Sequence, residues 1–338
     1  MKRFFCSCGG ELFFDSRVCI KCESDVGFNV QTKEFECISN ESKIRRCQNG
    51  LDYGVCNWLR EANSSTGLCL SCEFNRTIPD LSRSKNIEKW TILEAAKKRL
   101  MYSLFKQAVP CITKWSSEKY GFLFDFIEDR RSNPVVNEEY VSTGYIDGII
   151  TINVNEADPV FRAQQKEATN QVHRTVLGHF RHESGHHFYN FIKYFPDIHS
   201  DYQILFGSEC GANYSDALKN FYIHGPKKKW DRDFITPYAS AHHLEDWAET
   251  WGHYLIISDA LETAEEFGLV DTTSKQTNIY AKVSCWRDIS IALNEINRSV
   301  GTEDSYPFVI NGVTIKKLAL VEKLIQKLKS HLPDLAID

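Results

Sequence analysis

In "IEKWTILEAAKKRLMYSLFKQAV" (87–109), Trp90, Leu93, Leu100 and Leu104 fall on one face, with charged residues between them. That period predicts a helix, which Pro110 ends. "GIITINV" (148–154) is rich in β-branched residues and followed by turn formers, which predicts a strand. Residues 160–192 read as one long helix, stopped by "YFPD". A second strong helix is predicted over "SAHHLEDWAETWGHYLIISDAL" (240–261), with Trp247, Trp251 and Tyr254 turned towards a core. The segment "VTIKKLALVEKLIQKLKSHL" (313–332) is amphipathic and is expected to pack on the body of the protein. The polar stretch "NRTIPDLSRSKN" (75–86), with Pro79, reads as a linker. There is no internal repeat or low-complexity tract.

Composition narrows this picture. The chain has 338 residues, 42% hydrophobic and 25% charged, enough apolar content for a packed core. A formal charge of −5 argues against a generally basic surface for nucleic acid or membrane. No apolar run reaches the roughly 18 residues of a membrane span. The opening "MKRFFCSCGGELFF" meets cysteine and glycine before any secretory core could form. Nine of the 12 cysteines lie within the first 72 residues, at 6, 8, 19, 22, 37, 47, 56, 69 and 72. Clustered pairs without a leader favour metal over disulfides and place the chain in the cytoplasm. The run Lys227-Lys228-Lys229 reads as a solvated loop.

The chemistry concentrates in "GHFRHESGHHFYNF" (178–191), which holds four of the 11 histidines around one glutamate. "HESGH" matches H-E-x-x-H. On a helix, His182 and His186 share one face with a rise of about 6 Å between them, suited to one tetrahedral zinc. Glu183 sits on the flank, placed to act on a metal-bound water as general base. The helix follows a predicted strand, and an extended peptide can dock on a strand edge, here along residues 148–154. His173, His179, His187, His199 and His224 read as structural or surface groups.

A catalytic zinc takes three protein ligands and keeps one position for water. Position 192, where a metzincin places its third histidine, is Ile192. The best supplier is "HHLEDWAETWGH", where Glu245 and Glu249 share a helix face beside the small Ala248 and Gly252. That face suits close approach to another helix. The acid pair resembles that of gluzincins, which implies Glu245 as third ligand and Glu249 as the acid orienting a ligand histidine. His242, His243, Asp246, Glu249 and the more distant Glu209 remain alternative ligands. An oxyanion also needs a donor, and Tyr238 or His242, in "TPYASAHH", precede the acid-bearing helix.

Cys6, Cys8, Cys19 and Cys22 form two short knuckles suited to a closed structural zinc. Cys47, Cys56, Cys69 and Cys72 offer a second set. Cys37, Cys111, Cys210 and Cys285 have no close partner in sequence and read as small buried hydrophobes. Residues 1–86 hold 12 Lys/Arg against 11 Asp/Glu, and two all-cysteine zinc sites would each add about −2. That balance disfavours phosphate binding and favours a structural or protein-docking role.

"CGGELFFDSRVCIKC", "CNWLREANSSTGLCLSCEFNRTIPDLS", "GIITINVNEADPVFR", "LGHFRHESGHHFYN" and "YASAHHLEDWAETWGHYLII", with "LNEINRS" and "SYPFVI", resemble zinc-binding metallopeptidases with an N-terminal zinc-ribbon region. The likeness spans nearly the whole chain. It implies zinc-dependent peptide hydrolysis of gluzincin type, with His182, His186 and Glu183 in the roles above, and supplies no substrate. The first knuckle, C-x-C, is one residue shorter than the C-x2-C of the pattern, and His187 and His243 stand where tyrosine and proline are commoner.

The expectation is an α+β, largely helical zincin-like metallopeptidase domain with a small sheet over 85–338, preceded by a cysteine-rich zinc-ribbon domain over 1–80. It would carry one catalytic and two structural Zn2+ and act on a protein or peptide. The competing expectations are a non-catalytic, zinc-stabilised interaction module and a zinc-ribbon nucleic-acid adaptor.

Overall fold

The computed structural model describes residues 1–39, 41–168, 175–207, 213–270 and 278–335. Internal contacts divide the chain into two units, Lys2–Arg162 and Ala163–Ile337.

The first unit opens with three small antiparallel pairs: β1 (Phe4–Phe5) with β2 (Glu11–Leu12), β3 (Val26–Asn29) with β4 (Glu34–Cys37), and β5 (Ile44–Arg46) with β6 (Leu59–Glu61). The short α1 (Gln48–Asp52) follows β5. Then come β7 (Asn75–Thr77), α2 (Asn86–Gln107), β8 (Leu123–Ile127), β9 (Gly144–Ile146), β10 (Ile149–Asn153) and α3 (Pro159–Ala168), within which the division falls. α2 occupies the predicted helix and closes at Ala108, whose φ of 53° is the left-handed conformation of a helix end.

Two expectations change here. Part of the segment read as a linker is β7, which pairs in parallel with β8. The four-stranded sheet runs β7-β8-β10-β9, so the predicted strand is internal. β10 pairs with β8 on one side and with β9 on the other. β8 pairs with Ile149–Asn153 and β9 with Ile149–Thr151, so an added peptide strand finds no open edge along that part of 148–154.

The cysteine-rich segment and α2 share one core. Phe4, Phe14, Phe28 and Tyr102 cluster, with Tyr102 meeting Phe4 and Phe14 edge to face at ring-centroid distances of 6.5 and 5.5 Å. Lys98 reaches from α2 to Asn57 at 2.7 Å, and Asn57 donates to the carbonyl of Phe14 at 2.8 Å. These aromatic rings give the small strands apolar area that two- to four-residue hairpins lack by themselves.

The second unit is helical: α4 (Val176–Tyr189), α5 (Pro196–Phe206), α6 (Tyr214–His224), α7 (His243–Glu266), α8 (Ile279–Ser299) and α9 (Gly312–Leu335). The long helix predicted over 160–192 is two helices. Thr175 is extended (φ −125°, ψ 154°) and caps α4 by accepting from the Gly178 amide, so helix cannot run through it. α7 runs through the middle, with Trp247, Trp251 and Leu255 fully buried. The amphipathic α9 packs its Leu318, Val321, Leu324 and Leu328 inward, as its pattern predicts. A buried ion pair from Lys317 of α9 to Asp246 of α7, 2.5 Å long, helps fix the register between them. Among the described residues, no helix is long and apolar enough to cross a membrane.

Candidate metal centre

α4 and α7 cross at very small residues. A Cβ on Gly185 would lie 2.9 Å from the Ala248 Cα and 3.1 Å from the Trp251 Cβ. Trp247 Nε1 donates to the Gly185 carbonyl at 2.9 Å, Trp251 Nε1 donates to Ser184 Oγ at 3.0 Å, and Trp251 stacks on Phe188. Replacing Gly185 with alanine is therefore expected to push the helices apart and cost about 1–3 kcal/mol. A lowered denaturant midpoint is the expected result, and an unchanged midpoint would show that the crossing has room for a methyl group.

This close crossing brings three donors together. His182 Nε2 lies 3.2 Å from His186 Nε2 and 3.0 Å from Glu245 Oε2, while His186 Nε2 is 3.6 Å from Glu245 Oε1. A tetrahedral zinc with bonds of about 2.05 Å spaces its ligand atoms about 3.3 Å apart. The proton positions fit as well. Glu249 can only accept, so His182 donates to it from Nδ1 at 2.7 Å, which leaves Nε2 facing the other two donors. Glu245 Oε2 is buried and accepts no hydrogen bond. A buried carboxylate oxygen beside two imidazole nitrogens calls for positive charge, which a metal ion or a proton on His182 can supply.

The electrostatics agree. Burial opposes a charge on His182, yet Glu245 and Glu249 outweigh it and hold the imidazole well above its ordinary range. Without a metal a proton therefore occupies Nε2, the position a bound cation would take from it. His186 is lowered to about 4, first by burial and then by the charge on His182, against the pull of Glu245. It is neutral near pH 7, as a metal-ligating histidine must be. Burial would raise Glu245, but His186, His182 and the Tyr214 hydroxyl hold it down to about 2. The site thus calls for positive charge at the point where the three donors meet.

Glu249 spans two partners. One oxygen takes the His182 Nδ1 proton, and the other accepts from Thr236 Oγ1 at 2.7 Å. Thr236 is itself held by the Ala239 amide at 3.1 Å. Valine at position 236 would leave a buried carboxylate oxygen without its donor and let Glu249 and His182 turn. The expected result is a loss of zinc affinity of about 10–100-fold for Thr236→Val and near-recovery for Thr236→Ser, read by competition with a chelator. Equal affinity in all three proteins would remove Thr236 from the site's support.

Among the other residues expected at the site, Glu183 is 7% exposed and adds its negative field at the Tyr214 hydroxyl. The Tyr238 ring lies 5.9 Å from the His182 ring, centroid to centroid. His242 caps α7 by accepting the Leu244 amide on Nδ1 at 3.2 Å, which leaves Nε2 as the protonated nitrogen and a donor. Tyr214 was not foreseen. Its hydroxyl donates to Glu245 and its ring meets His242 edge-on at 5.2 Å. Thr236 was not foreseen either. His187 packs against Phe188 and Phe191 in the core. His243 Nδ1 lies 2.7 Å from the Tyr202 hydroxyl, and Asp246 faces Lys317. His173, Glu209 and Cys210 lie outside the described residues.

In the first unit, the Sγ atoms of Cys6, Cys8, Cys19 and Cys22 lie within 4.8 Å of one another, and so do those of Cys47, Cys56, Cys69 and Cys72. Cys6–Cys22, Cys8–Cys19 and Cys56–Cys69 are each separated by 3.6 Å, near the edge of about 3.8 Å set by four Zn–S bonds. In the second set the amides of Cys69 and Trp58 donate to the sulfurs of Cys47 and Cys56 at 3.3 and 3.4 Å. Burial raises the Cys69 thiol far above its usual range, so it keeps its proton unless a cation replaces it. Cys37 departs from expectation: it is half-exposed and its Sγ stands 3.6 Å from that of Cys6. Cys111 is partly accessible, although burial raises its thiol, and Cys285 is half-exposed.

Two imidazoles a helical turn apart, joined by an acid from a crossing helix and accompanied by two sets of four thiols, define a zinc-binding protein with a zinc-ribbon region and a metallopeptidase-like domain. The chain belongs to the family described as "Putative zinc-binding metallo-peptidase", which matches residues 86–324, and a zinc-ribbon domain matches residues 3–83. It is 33% identical over 336 residues to Uncharacterized protein Mb2598c of Mycobacterium bovis, covering 97% of this chain and 96% of that protein. Uncharacterized protein Rv2568c of Mycobacterium tuberculosis gives the same identity and coverage. No solved structure gives a significant match.

Proposed function

We propose that the chain is a zinc-dependent peptidase acting on a protein or peptide. One observation carries this reading most strongly. The candidate centre gathers three donors among the described residues, His182, His186 and Glu245, and a four-coordinate zinc held by three keeps a place for water. The two cysteine sets each supply four ligands, the closed arrangement of a structural ion.

Bound zinc would supply Lewis acidity and lower the pKa of a coordinated water. Glu183, on the turn that carries His182, takes the proton from the attacking water and returns it to the leaving amine. Glu249 holds His182 in the tautomer that offers Nε2, and Thr236 holds Glu249. Tyr238 and His242 flank the histidines as donors to the oxyanion. Burial, followed by the charge of Glu245, raises Tyr238 far above the ordinary phenol range, so it keeps the proton it would donate. The cysteine-rich region serves as a zinc-ordered protein-docking element, and the reduced thiols suit the cytoplasm.

The test is Glu183→Gln, with zinc content and cleavage measured on the same preparation. Retained zinc with cleavage lost supports the reading. Undiminished cleavage refutes it.

A further inference from the structure

The first cysteine set has one thiol more than a tetrahedral ion can use. Cys6 follows β1 and Cys37 ends β4, and these strands lie side by side. As a result Cys37 Sγ stands 3.6 Å from Cys6 Sγ, as close as Cys22, a member of the set, which is also at 3.6 Å. Ser7 Oγ lies 3.4 Å from the Cys37 sulfur, and among the described residues Cys37 does not join the four mutually close sulfurs. Access is the second observation. Cys37 and Cys8 are half-exposed and Cys22 is exposed, whereas all four sulfurs of the second set are buried. The two sets therefore differ in the property that decides reaction with a small oxidant.

We infer that Cys6 and Cys37 form a peroxide-responsive pair whose disulfide dismantles the first zinc site. This rests on reading Cys6, Cys8, Cys19 and Cys22 as a zinc site. The accessible Cys37 thiol attacks a peroxide oxygen, the O–O bond breaks, and the thiol proton leaves with the departing hydroxide as water. Cys37 is then a sulfenic acid. The Cys6 thiolate attacks its sulfur, the S–S bond forms, the S–O bond breaks, and the released hydroxide takes a solvent proton to give a second water. Two electrons pass from the two sulfurs to the peroxide. Closing 3.6 Å to a disulfide bond of about 2.05 Å needs a shift of about 1.5 Å, within reach of side-chain rotation at one or both residues. Three thiolates remain, one fewer than a closed structural site requires.

The experiment uses the full-length zinc-loaded protein, treated with hydrogen peroxide while a chromogenic chelator reports released zinc. Wild type is expected to release about one equivalent per chain. Cys37→Ser, with the same starting zinc, is expected to release it at least about tenfold more slowly. Tryptic peptides separate the partners, because residues 4–17 carry Cys6 and Cys8, residues 22–33 carry Cys22, and residues 34–43 carry Cys37. The oxidised protein should show 4–17 linked to 34–43, with fragmentation placing the bond on Cys6. A link from 4–17 to 22–33, or equal release by Cys37→Ser, overturns the inference. Equal starting zinc in wild type and Cys8→Ser overturns the zinc site beneath it.

Discussion

Glutamine at position 183 is expected to leave the zinc content unchanged and to lower the kcat/KM for a fluorogenic peptide library by about 10³-fold, within the range of a lost general base. That factor corresponds to about 4 kcal/mol of transition-state stabilisation. Glu183 follows the first histidine in the sequence, is 7% exposed, and is felt electrostatically by Tyr214, which donates to Glu245. It is absent from the three-donor group, which is why zinc should remain when it is neutralised. The amide keeps the size and polarity of the side chain and loses only its basicity. A fall in zinc together with activity would make Glu183 a ligand or a packing residue. Normal zinc with full cleavage would leave the water without this base and would require another.

What could be read from the sequence is what repeats or crowds. The four-residue spacing of His182 and His186 places two rings on one face, and the same spacing links Glu245 with Glu249. Ala248 beside the two acids pointed to a close helix crossing. The structure supplies its partner in Gly185, with no room for a Cβ between them. Paired cysteines show themselves by proximity along the chain. Encounters between remote residues leave no such trace. Cys37 lies 31 residues from Cys6 and meets it only because β1 and β4 are neighbours. Tyr214 reaches Glu245 across 31 positions, and Thr236 reaches Glu249 from a turn with no period to read. The break before α4 was hidden for a different reason. Threonine is a favoured N-cap that also occurs inside helices, and only the extended backbone of Thr175 shows which role it takes here. The strand at 149–153 was visible in its β-branched run, but its place inside the sheet depends on β9, a three-residue strand too short to signal itself.

Alanine at position 245 should remove about one zinc equivalent per chain, whereas alanine at 249 should keep that ion with affinity weakened by about 10–100-fold. The two glutamates are one helical turn apart on α7, and their hydrogen bonds separate their roles. Both Glu249 oxygens are engaged, one by His182 Nδ1 and one by Thr236 Oγ1, each at 2.7 Å. Glu245 instead sends Oε2 to within 3.0 Å of His182 Nε2 without accepting a hydrogen bond on it. Glu245 is therefore the acid whose oxygen faces the histidine Nε2 atoms, whereas both Glu249 oxygens are held by other donors. Removing it leaves two imidazoles, one short of the three protein ligands of a catalytic zinc site. Because Glu245 is 1% exposed and carries the Tyr214 hydrogen bond, the alanine variant also opens a polar void. Glu245→Gln separates the causes, since it fills the space and still accepts from Tyr214 but brings no charge. Zinc counts that fall in both variants assign the loss to the missing carboxylate. A full count in Glu245→Gln, or a greater loss from Glu249→Ala than from Glu245→Ala, would transfer the third ligand to another residue.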